Sequence, residues 1–350
     1  MVLSLCAARP VRPVRFRRPL IASGRSDCWV GEAPRLVLQF LFNGLVQASV
    51  LVLGALGLSL VYGVRKFANF GHGEMLTLGA YLTLVFAAST RNLVGAALLA
   101  ALAVAAVGVA QEFLVYARLE GRGPVAPLVA SVGIALVLQN TIAAWWGPSI
   151  VSYGVRYPDN LLFLGGALSA NAVRDLVPLA VGYSFAAAVL LYLKFAKLGK
   201  AMRATADNRD LARVSGVNTR LVDRVTWAIA GGVAAIAGVV VAVRSVTFQP
   251  ITGATLLLPM FAAVIVGGIG SPSGAVVGSL LVGVSQSLFF FFSLLIGIDP
   301  RWQVAVPFAL LVTVLLVRPR GLLGRAIGTE VRPLRIEVRE MLRSIRRGLS

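Results

Sequence analysis

The 350-residue chain is 58% hydrophobic and only 13% charged, with a mean hydropathy of +0.84. That excludes a soluble domain, and the absence of strict two-residue alternation excludes a porin-like barrel. The net charge of +19 lies mostly between apolar runs or at the chain ends, which points to cytoplasmic loops and anionic membrane lipids and not to nucleic acid.

Residues 1–35 form a basic arm, with seven Arg against Asp27 and Glu32, and are expected to be disordered. The arm has no apolar core of signal-peptide length, and an upstream extension from a misplaced start codon would account for it. It carries both cysteines, Cys6 and Cys28, which suggest neither a disulfide framework nor a metal site.

Apolar runs follow at roughly 36–63, 73–91, 93–116, 125–147, 176–193, 225–243, 256–270, 275–297 and 302–317. A span needs about 20 apolar residues, so the fold class is all-α, a polytopic helical membrane protein with eight or nine transmembrane helices. The domain reading is an arm (1–35), a transmembrane domain (36–324) with a charged loop at 194–224, and a basic amphipathic tail (325–350) suited to anionic lipid.

The first interruption, Val64–Glu74 (VRKFANFGHGE), holds Asn69, His72 and Glu74. Ionisable groups at a membrane break are candidates for gating or for lining a path, or they cap and orient the next helix. His72 is the only histidine, and H-G-E offers too few ligands for zinc. Glu112 falls near the end of its run, within reach of Arg118. Gln139 and Asn140 end a long apolar face; they line a path or bond between helices.

Lys194–Arg224 is the most charged segment inside the apolar body, with eight Lys/Arg and three Asp. The spacing predicts two short helices at the membrane surface. Leu198, Met202 and Ala206 share a face, and Asp207 or Asn208 caps a second helix that turns Leu211 and Val214 inward. Gly216 suits a left-handed cap, and Asn218 or Thr219 starts the next span. Two purposes fit: docking a partner, or an ordinary loop kept basic by the positive-inside rule.

Ser245–Ile298 contains no charged residue. Within it, Gly267–Gly274 (GGIGSPSG) forms a second interruption, and Gln286 is a further candidate for the path. Short, Gly/Pro-broken segments in two halves of a chain point to a translocation path, and glycine also permits close helix packing. A weak echo links 57–82 with 259–284. Positive charge places 194–224 and the tail in the cytoplasm and 148–175 outside. Five spans then put the N-terminus outside although its arm is basic; either the arm is not native or one early segment does not cross.

Four segments resemble the permease subunits of branched-chain amino-acid ABC importers. They are Gly57–Leu82 (GLSLVYGVRKFANFGHGEMLTLGAYL), Ala126–Asn140 (APLVASVGIALVLQN), Gly199–Ala237, and Met260–Leu281 with Arg318–Gly324 (RPRGLLG). The first and third are specific; the fourth alone is mostly small residues. The resemblance covers about 37–324. It implies an inner-membrane channel half that pairs with a second permease, two ATP-binding subunits and an extracytoplasmic solute-binding protein. The third block would be the coupling loop, with Ala204, Asp207, Ala212 and Gly216 at the contact with the ATPase. The family usually carries an acidic pair followed by Pro here, where this chain has Asp207-Asn208-Arg209.

No G-x-x-x-x-G-K-[ST] phosphate loop is present, so no cofactor or ATPase site is expected on this chain, and ATP would act on the partners. Permeases for urea or short amides share the same blocks. An ion-coupled secondary transporter would need coupling groups in its spans, and the uncharged block disfavours proton coupling. An intramembrane protease lacks a base near Ser273.

Overall fold

The computed structural model describes residues 26–163 and 168–324. The arm up to residue 25 and the amphipathic tail 325–350 lie outside the described residues. All nine apolar runs are helices: α1 (Ser26–Arg65), α2 (His72–Thr90), α3 (Leu93–Leu114), α4 (Val125–Trp146), α5 (Val177–Phe195), α8 (Thr219–Ser245), α9 (Thr252–Gly267), α10 (Pro272–Ile296) and α11 (Val306–Val317). Between α5 and α8 lie α6 (Lys197–Asp207) and α7 (Arg209–Val214). Among the described residues seven segments are long and apolar enough to cross a membrane, fewer than the eight or nine expected; two of them, Ala172–Phe195 and Pro300–Val317, include the short turn ahead of α5 or α11, and α9 has only 16 residues. α1 begins at Ser26, so residues 26–35, the end of the stretch read as a disordered arm, are helical. The helix runs through Gly31 and Pro34, although proline closes no hydrogen bond of its own there.

Helix starts follow local chemistry. Asn92 accepts from Val94 N at 3.0 Å, and Ser271 accepts from Gly274 N at 3.1 Å with Pro272 at the first position of α10. The centre of the bundle is α1, which packs against α5, α8, α9 and α10. Leu51, Leu53 and Leu56 on α1 are fully buried, as is Trp227 on α8. α4 and α11 are peripheral and expose most of their apolar surface. Lipid offers no hydrophobic drive between helices, so close packing must hold them, and small residues sit at the crossings. A Cβ on Gly73 of α2 would lie 2.6 Å from the Gly253 carbonyl of α9.

Contacts sort the helix ends into two faces. One gathers the end of α1, the end of α3, α6–α7 and the start of α8. The other carries residues 148–175, where β1 (Leu161–Phe163) pairs antiparallel with β2 (Leu168–Ala170). There Gln39 exchanges two hydrogen bonds with the Ser169 backbone, at 2.8 and 2.9 Å. Tyr153 donates to Ala80 O at 2.9 Å, Tyr157 donates to Val243 O at 2.6 Å, and Val151 bridges Phe248. Both tyrosines are anchors and not free surface groups.

Candidate functional site

α6 and α7 form a bent surface. Met202 and Thr205 of α6 are buried, while Ala204 and Asp207 are exposed. The Asn208 side chain accepts from Leu211 N at 3.0 Å and starts α7. Gly216, at φ +83°, reverses the chain after α7; Val217 N donates to Ala212 O at 3.0 Å. The Asn218 side chain accepts from Leu221 N at 3.1 Å and opens α8. One expectation is overturned: Leu211 and Val214 do not turn inward. They are 63% and 88% exposed, and Ala212 takes the buried position.

The reason is an ion pair that sets the roll of α7. Arg209 grips Asp223 of α8 with both terminal nitrogens, at 2.9 and 2.6 Å. Asp223 is buried and also faces Arg65, the last residue of α1, at 3.3 Å. Arg65 donates to Tyr116 O at 2.6 Å and lies 3.5 Å from Glu112 and 3.8 Å from Glu120. Glu120 in turn accepts from Arg209 at 3.1 Å and Arg213 at 2.9 Å. Three arginines and three acids thus join α1, α3, α7 and α8. Burial opposes the charge on Glu120, but the charges of Arg209 and Arg65 and the hydrogen bonds from Arg213 and Arg209 outweigh it and hold its carboxyl below the ordinary range. The Asp223 hydrogen bonds outweigh burial at Arg209 and raise its pKa. Glu112 pairs with Arg65 and not with Arg118 as its position in sequence suggests. The chain turns through a short 3₁₀ segment (Tyr116–Leu119) directly after α3, whereas α1 ends against α3.

Both interruptions are real breaks, and each has some of its backbone groups bonded by neighbouring elements. After α1, Lys66 adopts φ +59°. Ser131 of α4 accepts from Phe70 N at 3.1 Å and donates to Ala68 O at 3.3 Å. The Asn69 carbonyl oxygen accepts from Gly71 N at 3.0 Å and shapes the entry to α2. His72 opens α2, and its Nε2 donates to Gly54 O at 3.0 Å, so α2 starts well inside the bundle. Asn69, His72 and Glu74 are buried. Asn69 Nδ2, His72 Nδ1 and one Glu74 oxygen have no hydrogen-bond partner among the described residues. At the second break, Leu322 N and Leu323 N donate to Val266 O and Gly267 O at 2.9 and 2.8 Å. The R-P-R-G-L-L-G segment therefore closes the end of α9, as a broken helix inside a membrane requires.

A family model described as branched-chain amino acid transport system / permease component matches residues 40–315. The chain belongs to this permease family. The permease is 31% identical over 304 residues to the high-affinity branched-chain amino acid transport system permease protein BraD of Pseudomonas aeruginosa, covering 82% of this chain and 96% of that protein. It is 30% identical over 305 residues to the corresponding protein LivH of Escherichia coli K12, with the same coverage. It is 26% identical over 281 residues to the ribose import permease protein RbsC of Escherichia coli K12, covering 79% of this chain and 84% of that one.

The remaining candidate residues of the permease do not converge on one point. Gln139 and Asn140 lie on the peripheral α4, where Asn140 is exposed and donates to Leu136 O at 2.8 Å. Gln286 is buried on α10, and its carbonyl oxygen has no partner among the described residues. α4 packs on α2 and the turn after α3, whereas α10 packs on α1, α9 and α11. A cavity of about 710 Å³ lies beside α6, between the ends of α1 and α5 and the second break; Lys66, Lys194, Arg203 and Asp207 line it. Burial there holds the Lys66 ammonium below its ordinary range, against the attraction of Asp207. Sequence reasoning missed the Arg65–Asp223 pair. Two charges bordering apolar runs were its only visible signal.

Proposed function

We propose that this permease is the membrane-spanning half of an ABC importer that carries branched-chain amino acids across the inner membrane. ATP hydrolysis on partner subunits drives it. The assembly contains a second permease subunit, two ATP-binding subunits docked on α6–α7, and a solute-binding protein at the face carrying 148–175. The positive-inside rule supports a cytoplasmic position for α6–α7.

The observation that carries the reading is the surface of α7. Leu211 and Val214 stand exposed among Arg and Lys, on a short helix whose underside is fixed to α8 by a bidentate ion pair. An exposed apolar pair on a rigid short helix suits insertion into a groove of a partner. Ala204 and Asp207 flank that surface, Ala212 lets α7 sit close on the bundle, and Gly216 turns the chain back to α8. Asn69, His72, Glu74, Gln139, Asn140 and Gln286 are left as candidates for gating or the path. Their partnerless polar atoms support such a role at the first break and at Gln286.

The test is purification of the C-terminally tagged chain from native membranes, with identification of the chains that accompany it. Two ATP-binding proteins and a second permease are expected, and repeated recovery alone overturns the reading. Ligand screening of the associated binding protein then separates branched-chain amino acids from urea, amides or sugars. Gly216→Pro makes a second test. Proline needs φ near −65° and cannot take φ +83°, so uptake should be lost while membrane insertion is kept.

A further inference from the structure

We propose that Asp223 is a switch carboxylate shared between Arg209 of the docking helix and Arg65 of the central helix, through which movement of the ATPase reaches the first break. The proposal rests on the coupling role of α6–α7 and names the residues that transmit it.

The geometry of the cluster is uneven. Arg209 holds Asp223 by two short hydrogen bonds, 2.9 and 2.6 Å. Arg65 is almost fully buried, yet its acids stand at 3.3, 3.5 and 3.8 Å, and its one short bond goes to the Tyr116 carbonyl at 2.6 Å. Its one hydrogen bond to an acid, to Asp223 at 3.3 Å, is long, so this guanidinium has pairing capacity left to tighten. The same Asp223 oxygen, Oδ2, faces both arginines. If α7 is drawn outward by its partner, Arg209 leaves, and only the long bond from Arg65 faces the charge on Asp223 in its buried site. Arg65 is the cation within reach.

Arg65 is also the last residue before the break. Lys66, the next residue, takes a left-handed conformation, and the chain then enters the bundle to place His72 against Gly54 of α1. A small shift of Arg65 toward Asp223 therefore acts on the hinge between α1 and α2. In the structure Asp223 is shared by both arginines, with Arg209 the tighter partner; the switch adds a second arrangement in which Arg65 alone holds it, since coupling between distant sites needs two.

The test uses the whole importer in proteoliposomes with its binding protein, reading radiolabelled leucine imported per ATP hydrolysed. Asp223→Asn keeps the shape and removes the charge both arginines compete for; the ratio should fall at least ten-fold. Asp223→Glu should recover it to within about three-fold; a purely structural staple predicts lost assembly and not a changed ratio in an importer that assembles. Should Asp223→Asn fail to assemble, Arg209→Gln removes the same contact from the outer side and should lower the ratio in the same way. Variants that assemble and keep the wild-type ratio overturn the switch. Failure of the wild-type chain to recruit ATP-binding subunits would overturn the coupling reading instead, so the two failures are distinguishable.

Discussion

The two ends of the bundle are fastened by different chemistry. The face carrying 148–175 is held largely by neutral hydrogen bonds to backbone: Gln39 to Ser169, Tyr153 to Ala80, Tyr157 to Val243 and the Val151–Phe248 bridge. The α6–α7 face is held by a cluster of ions, buried at Arg65 and Asp223, in which Asp223 is shared by two arginines and Glu120 by three. Neutral bonds to fixed backbone groups have one good arrangement. Shared ion pairs have several of similar energy, because a carboxylate can pass from one arginine to the next. The first pattern suits a face that keeps its shape, the second a face that has to move with a partner.

The largest effect should come from removing the shared acid. Asp223→Ala leaves two guanidinium groups without their buried partner and should cost about 3–5 kcal/mol, read as a lowered melting temperature of the purified permease. A change small enough to be solvent-like would mean that the cluster is not buried in the membrane-embedded protein. Gln39→Ala on the opposite face removes two hydrogen bonds to Ser169 and one to Asn43 at a half-buried site and should cost about 1–2 kcal/mol without altering leucine imported per ATP. A loss of coupling in that variant would break the contrast between the faces.

Tyr157→Phe deletes a single bond to Val243 O and should cost about 1 kcal/mol in the same melting assay, again with coupling intact. The smallest effect concerns Glu120 at the outer edge of the cluster. Its folded pKa lies below the ordinary value, so its contribution is complete above that ordinary value and disappears as pH falls through the depressed one. The wild-type chain should therefore lose its small advantage over Glu120→Gln on acidification. Salt should weaken the exposed Arg213–Glu120 pair, worth less than about 1 kcal/mol, before it touches Arg65–Asp223.

The α6–α7 region was partly legible in advance. Asn208, Gly216 and Asn218 act where their side chains or lack of one predict, because capping and left-handed turns depend on near neighbours in the chain. The roll of α7 was not legible. Apolar periodicity turned Leu211 and Val214 inward, but a six-residue helix buries too little apolar surface to set its own orientation, and the Arg209–Asp223 pair decides it. The same holds for Glu112: nearness in sequence favoured Arg118, and the partner turned out to be Arg65 at the end of another helix. The R-P-R-G-L-L-G segment read as a weak motif of small residues until the structure showed it bonded to the open end of α9.

By itself the sequence determined the solvent of this protein, the nine apolar helices, the two breaks and the family. Each of these follows from composition and short-range spacing, which lipid and the backbone read directly. Only the tertiary structure decided which charges meet. Arg65 and Asp223 stand 158 residues apart, and no local rule links them. Their encounter depends on the ends of α1 and α8 falling at the same depth, which is set by how glycine and alanine let the helices pack.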